Sequence, residues 1–139
     1  MDHRLMNEKI LIMTNIAERK ELYEFVLKSK GYVTKVLEDK SHIRKHLEWK
    51  YTEEMVKDVL KFYPRLIICD LGAYMAVSTE VLEFLLKIRD ACDQDPYPLN
   101  LVILPRDYFP DKFEFLIDEF LPSPIDVKLF LDTVGKLLT

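Results

Sequence analysis

Two runs, Ile10-Leu11-Ile12-Met13 and Leu66-Ile67-Ile68-Cys69, are apolar at every position. A strand with one wet face alternates apolar and polar residues. A run without alternation is covered on both faces, as in a parallel sheet sandwiched between helices. The second run ends on a carboxylate, Asp70. In an open α/β sheet, ligands bind just beyond the carboxyl ends of the strands, so an acid there is a candidate for chemistry or metal binding.

The rest of the chain fits helices around such a sheet. Residues 17–30 read as a helix, with Leu22, Phe25 and Val26 at core spacing and Gly31 as its stop. Residues 32–37 read as a second strand, residues 41–62 as largely helical in two segments, and residues 65–70 as a third strand set off by Pro64 and Gly72. Ser78 can cap a helix that places Val81, Leu82, Leu85, Ile88 and Cys92 on one face. A fourth strand over 99–104, a short helix from Pro110 and a fifth strand over 119–121 follow. The last helix, 125–138, turns Leu129, Phe130, Val134, Leu137 and Leu138 inward. This alternation predicts one doubly wound α/β domain over residues 1–139, with a parallel sheet and helices on both faces.

Composition narrows the function classes. A net charge of −4 argues against nonspecific nucleic-acid binding. No apolar stretch approaches the roughly 20 residues that span a bilayer. The opening Met1-Asp2-His3-Arg4 has no signal-peptide anatomy, and Cys69 and Cys92 lie in apolar surroundings; both point to a reduced, cytoplasmic protein. With three glycines in all, no loop is built to cradle phosphate. His42 and His46 stand four apart, but no third ligand completes a metal set, and there is no nucleophile elbow.

The stretch Pro64-Arg65-Leu66-Ile67-Ile68-Cys69-Asp70-Leu71 resembles the phosphoacceptor strand of bacterial response-regulator receiver domains. Glu119-Phe120-Leu121-Pro122-Ser123-Pro124 resembles that family's fifth-strand motif, and the likeness extends over roughly residues 8–138. The resemblance implies a flavodoxin-like five-stranded sheet in the order 2-1-3-4-5. It puts Asp70 at the phosphoacceptor position and Phe120 at the switch-aromatic position. It also exposes gaps. Where the family has two acids for Mg²⁺, this chain has Thr14 and Asn15. Its lysine is replaced by Ser123, and the hydroxyl residue ending its fourth strand by Pro105. A degenerate receiver is implied, with Mg²⁺ binding doubtful and no other cofactor.

Magnitudes favour that expectation. Phosphoryl transfer relies on positioning and on cations that neutralise developing charge. One charge pair about 4 Å apart is worth up to ~4 kcal/mol at an effective dielectric of 20, so losing the acids and the lysine is expected to cost several kcal/mol, roughly a few powers of ten in rate. Asp70 is then expected to accept hydrogen bonds from Thr14, Asn15 or Ser123 in a neutral polar cluster, as a buried carboxylate requires.

Against the family's length, about ten extra residues fall near 41–52, a basic segment holding the only tryptophan. Trp49 and Tyr51 are therefore candidate partner-binding residues, since interfaces favour such anchors. Phe109 and Phe113, with Phe115, are candidates on the face that receivers commonly use for dimers and partners. The expected function is a non-catalytic receiver-like signalling domain that binds a protein partner or a second copy, without phosphorylation. Two alternatives stay open: an atypical receiver phosphorylated on Asp70, and a small flavodoxin-like ligand-binding domain or enzyme.

Overall fold

The computed structural model describes residues 8–14, 17–37, 53–70, 79–92, 99–104, 115, 117–121 and 125–138. Strands β1 (Lys9–Thr14), β2 (Val33–Leu37), β3 (Leu66–Asp70), β4 (Asn100–Leu104) and β5 (Glu119–Phe120) form one parallel sheet in the order β2-β1-β3-β4-β5. Helices α1 (Ala17–Ser29), α2 (Glu53–Phe62), α3 (Thr79–Cys92) and α4 (Val127–Leu138) are those among the described residues.

The unbroken apolar runs are explained by the two faces they serve. Successive strand residues point to opposite faces. Leu11, Met13, Ile67, Cys69 and Leu101 enter one core with Met55, Val56 and Val59 of α2 and Leu82, Leu85, Ile88 and Cys92 of α3. Ile10, Ile12, Leu66, Ile68 and Val102 enter the other, with Tyr23, Val26 and Leu27 of α1 and Phe130, Val134 and Leu138 of α4. Both cysteines are buried and free. Thr14 and Asp70 are register partners at the carboxyl ends of β1 and β3. They continue the phase that faces α1 and α4.

Local signals set the helix ends. After α1, Gly31 takes φ +90°, its N–H bonding to the Lys28 carbonyl while the Tyr32 N–H reaches back to Leu27. That pair of bonds is a glycine stop that absorbs the last helical carbonyls. The Asp126 Oδ1 caps α4 by accepting the Leu129 N–H at 3.1 Å. At its other end, Asn100 Nδ2 donates to the Leu137 carbonyl at 3.0 Å and ties α4 to the start of β4. Just before β5, the Asp118 carboxylate accepts the Leu101 N–H at 2.7 Å and the Asp118 N–H bonds to the Leu101 carbonyl.

Two core expectations are corrected. Phe25 is 74% exposed, and α1 instead buries Tyr23, Val26 and Leu27. Leu129 is also exposed, while Phe130, Thr133, Val134 and Leu138 form the inner face of α4. In α1 the stripe is rotated by one residue from its expected position, whereas in α4 the expected Phe130, Val134 and Leu138 are buried and, of the expected set, Leu129 alone faces outward. The helical segment expected over 41–52 and the short helix expected from Pro110 lie outside the described residues.

Candidate functional site

The alternation that fills the two cores carries Asp70 to the carboxyl end of β3 with its side chain toward α1. Helix α1 begins three residues after β1, so its first turns lie over that same end of the sheet. Arg19 and Tyr23 are four apart and share the face that continues into Val26 and Leu27. Asp70 has no exposed surface and needs partners for its charge. Arg19 and Tyr23 supply them.

One nitrogen, Arg19 Nη1, lies 2.9 Å from both Asp70 Oδ1 and Asp70 Oδ2. This is a bifurcated contact rather than the parallel fork of two bonds. The Tyr23 hydroxyl donates to Asp70 Oδ2. Arg19 keeps about a quarter of its side chain exposed (27%), whereas Asp70 and Tyr23 have no exposed surface, so among these three Arg19 is the one open to water. Behind Tyr23, its ring stacks at 5.1 Å and 30° on Phe130 of α4.

The electrostatics follow from burial and from one negative charge. The Tyr23 hydroxyl is pushed far above its ordinary value by burial first, with the charge and the hydrogen bond of Asp70 adding to it. Burial likewise raises the Cys69 thiol, and neighbouring Asp70 raises it further. For Arg19, burial works against the charged form, but the hydrogen bond and charge of Asp70 outweigh it and the net shift is upward. The site is therefore an ionic cluster with its tyrosine protonated.

This corrects the neutral character expected of the cluster: among the described residues, α1 supplies Arg19 as a cation and Tyr23 as a donor to Asp70. Of the positions expected to matter, Thr14 is buried beside Asp70 in register. Phe120 is partly buried and packs against the core shared with α2 and α3. Asn15, Pro105, Ser123, Trp49, Tyr51, Phe109 and Phe113 lie outside the described residues. Phe115 is 71% exposed. A signal for Arg19 and Tyr23 was present in the sequence: they extend the Val26–Leu27 stripe at i, i+4, i+7 and i+8. Polar heads on an inward stripe call for a buried acid.

Among the described residues, the donor set does not fit Mg²⁺. That ion is bound through one or two carboxylates at 2.0–2.1 Å, in rough terms, with octahedral geometry. Here the carboxylate oxygens already hold a guanidinium. Among the described residues, no group of three or more His, Cys, Asp or Glu side chains could hold a metal ion.

No family model matches the chain, and no curated protein matches it. Among solved structures it is similar to the response regulator TrrA of Thermotoga maritima in complex with Mg²⁺-BeF, at 18% identity and a TM-score of 0.63, over 94% of this chain and 98% of that one. The complex of the histidine kinase ThkA with TrrA matches at 19% identity and a TM-score of 0.65, over 95% and 99% of the two chains. The chemotaxis response regulator CheY4 of Vibrio cholerae matches at 16% identity and a TM-score of 0.66, over 94% and 98%. At these identities the shared property is the fold. The chain has the flavodoxin-like architecture of response-regulator receiver domains.

Proposed function

We propose that this chain is a receiver-like signalling module that works through protein–protein contacts and needs no phosphorylation of Asp70. The observation that carries this reading is the closure of Asp70 by Arg19 and Tyr23. To accept a phosphoryl group, a carboxylate oxygen must reach the donor. Here that requires giving up charge-assisted hydrogen bonds, worth roughly 1.5–3 kcal/mol each in a site like this. Further cation chemistry would then be needed for the incoming phosphoryl oxygens. The chain therefore does no catalysis of its own and uses Asp70 as an internal anchor.

Support for a protein partner comes from the fold: one solved relative is a receiver bound to a histidine kinase. The proposed contact residues are Trp49, Tyr51, Phe109 and Phe113, with a second copy of the chain as the other possible occupant. No helix among the described residues is long and apolar enough to cross a membrane. A cytoplasmic location is part of the same proposal.

The test is an amide NMR titration with Mg²⁺ and then beryllofluoride, a phosphoryl mimic. The expected result is no response centred on Asp70 at low millimolar Mg²⁺. Shifts centred on Asp70, Thr14 and Ser123 would overturn the proposal and make Asp70 a working acceptor.

A further inference from the structure

We propose that Tyr23 couples the way Asp70 is held to the packing of helix α4. Tyr23 is wholly buried and touches both sides of the relay. Its hydroxyl bonds Asp70 at the carboxyl edge of the sheet, and its ring lies 5.1 Å from Phe130. Tyr23 and Phe130 are the two largest fully buried side chains described in the molecule. Interiors are packed at crystal-like density, so a displaced Tyr23 ring must be answered by Phe130 rather than absorbed by free space.

The relay has one wet end. Of Arg19, Asp70, Tyr23 and Phe130, only Arg19 reaches solvent appreciably. An anion that engages the Arg19 guanidinium withdraws positive charge from Asp70. The carboxylate then leans harder on Tyr23 or loses its geometry. The two ends of α4 are held differently. The Asn100 bond to the Leu137 carbonyl pins the last turn of α4, while its first turn is capped by its own Asp126. A push at Phe130 therefore swings the first half of α4 about its tied end. That half carries the exposed Val127 and Leu129, so the swing alters an apolar outer surface.

This inference rests on the reading of Asp70 as an internally held carboxylate. Its test contains neither Mg²⁺ nor phosphodonor, so the two fail separately. Hydrogen exchange of α4 amides is measured in the full chain and in Tyr23→Phe, Arg19→Gln and the double variant. Tyr23→Phe keeps the ring on Phe130 and removes only the hydroxyl. The expected result is exchange about tenfold faster at residues 130–134, with amides of β1 and β3 unchanged, since tenfold corresponds to one lost hydrogen bond to a charged group. Arg19→Gln should act at the same amides, and the effect of the double variant should be smaller than the sum of the two single effects. Unchanged α4 exchange, strictly additive effects, or a uniform rise over all strands would overturn the coupling. If Tyr23→Phe does not fold, Arg19→Gln at the wet rim decides the matter alone, by the presence or absence of the change at 130–134.

Discussion

One guanidinium nitrogen of Arg19 holds both carboxylate oxygens of Asp70 at 2.9 Å, across 51 positions of sequence. Helix α1 and strand β3 are thereby tied at the edge of the sheet where function would be sought. A buried pair is weak proof of net stability, yet removing one partner strands the other. After Asp70→Ala, Arg19 can turn to water, but the buried Tyr23 hydroxyl is left without this acceptor. We expect a loss of about 3 kcal/mol, at the low end of the 3–5 typical of a fully enclosed pair. Urea denaturation checks it, and a loss under about 1 kcal/mol would make the tie dispensable.

Alkaline pH should destabilise the domain through Tyr23. Its folded pKa is raised by burial and by Asp70, so the native state keeps a proton that the unfolded chain gives up. Its stabilising contribution is complete below the ordinary tyrosine value near 10 and is lost as pH rises toward the folded value. Cys69, raised by burial, acts in the same sense from about pH 9, and Tyr32, raised by burial and then by Glu8, from about pH 10. Tyr23→Phe should therefore reduce the slope of stability against pH above 10 by about one proton, leaving the slope due to Cys69 and Tyr32. Unfolding curves from pH 8 to 12 read this directly.

At the opposite edge of the sheet, Arg65 Nη1 lies 2.6 Å from Glu8 Oε1, and Glu8 is nearly inaccessible at 3% exposure. The second oxygen, Glu8 Oε2, makes no hydrogen bond. Arg65→Leu would leave a buried carboxylate without this cation, at an expected cost of about 3 kcal/mol. Glu8→Gln leaves the charge on Arg65, whose side chain is about a quarter exposed, and should cost about 1 kcal/mol. A reversed order in thermal melts would mean that Glu8 is not the member that depends on the pair.

Neighbouring residues of α1 should respond in opposite ways. Phe25→Ser removes an exposed ring and is expected to change stability by no more than about 0.5 kcal/mol. Val26→Ser puts a hydroxyl into the core beside Leu27 and Phe130 and should cost about 2 kcal/mol or more. Equal effects in denaturant titrations would show that the helix face is wrongly assigned.

Much of the fold can be read from the chain because strand periodicity and helix stops are local. The unbroken runs at 10–13 and 66–69 announced strands covered on both sides, and both cores use them in strict alternation. Gly31 and the alternation of elements predicted the end of α1 and the parallel order. Phe25 and Leu129 were misplaced because helical spacing in a short segment leaves several apolar stripes open. Only the packing partner chooses among them.

The same division runs through the candidate site. By itself, the sequence determined that an acid stands at the carboxyl end of β3. It did not determine what satisfies that acid, since Arg19 and Tyr23 lie 51 and 47 positions away from Asp70. Their meeting depends on which phase of β3 faces α1 and on how far α1 overhangs the sheet edge. Those are properties of the packed layers. The charge of Asp70, buried beyond the reach of water, then obliges whatever donors the packing brings near to become its partners.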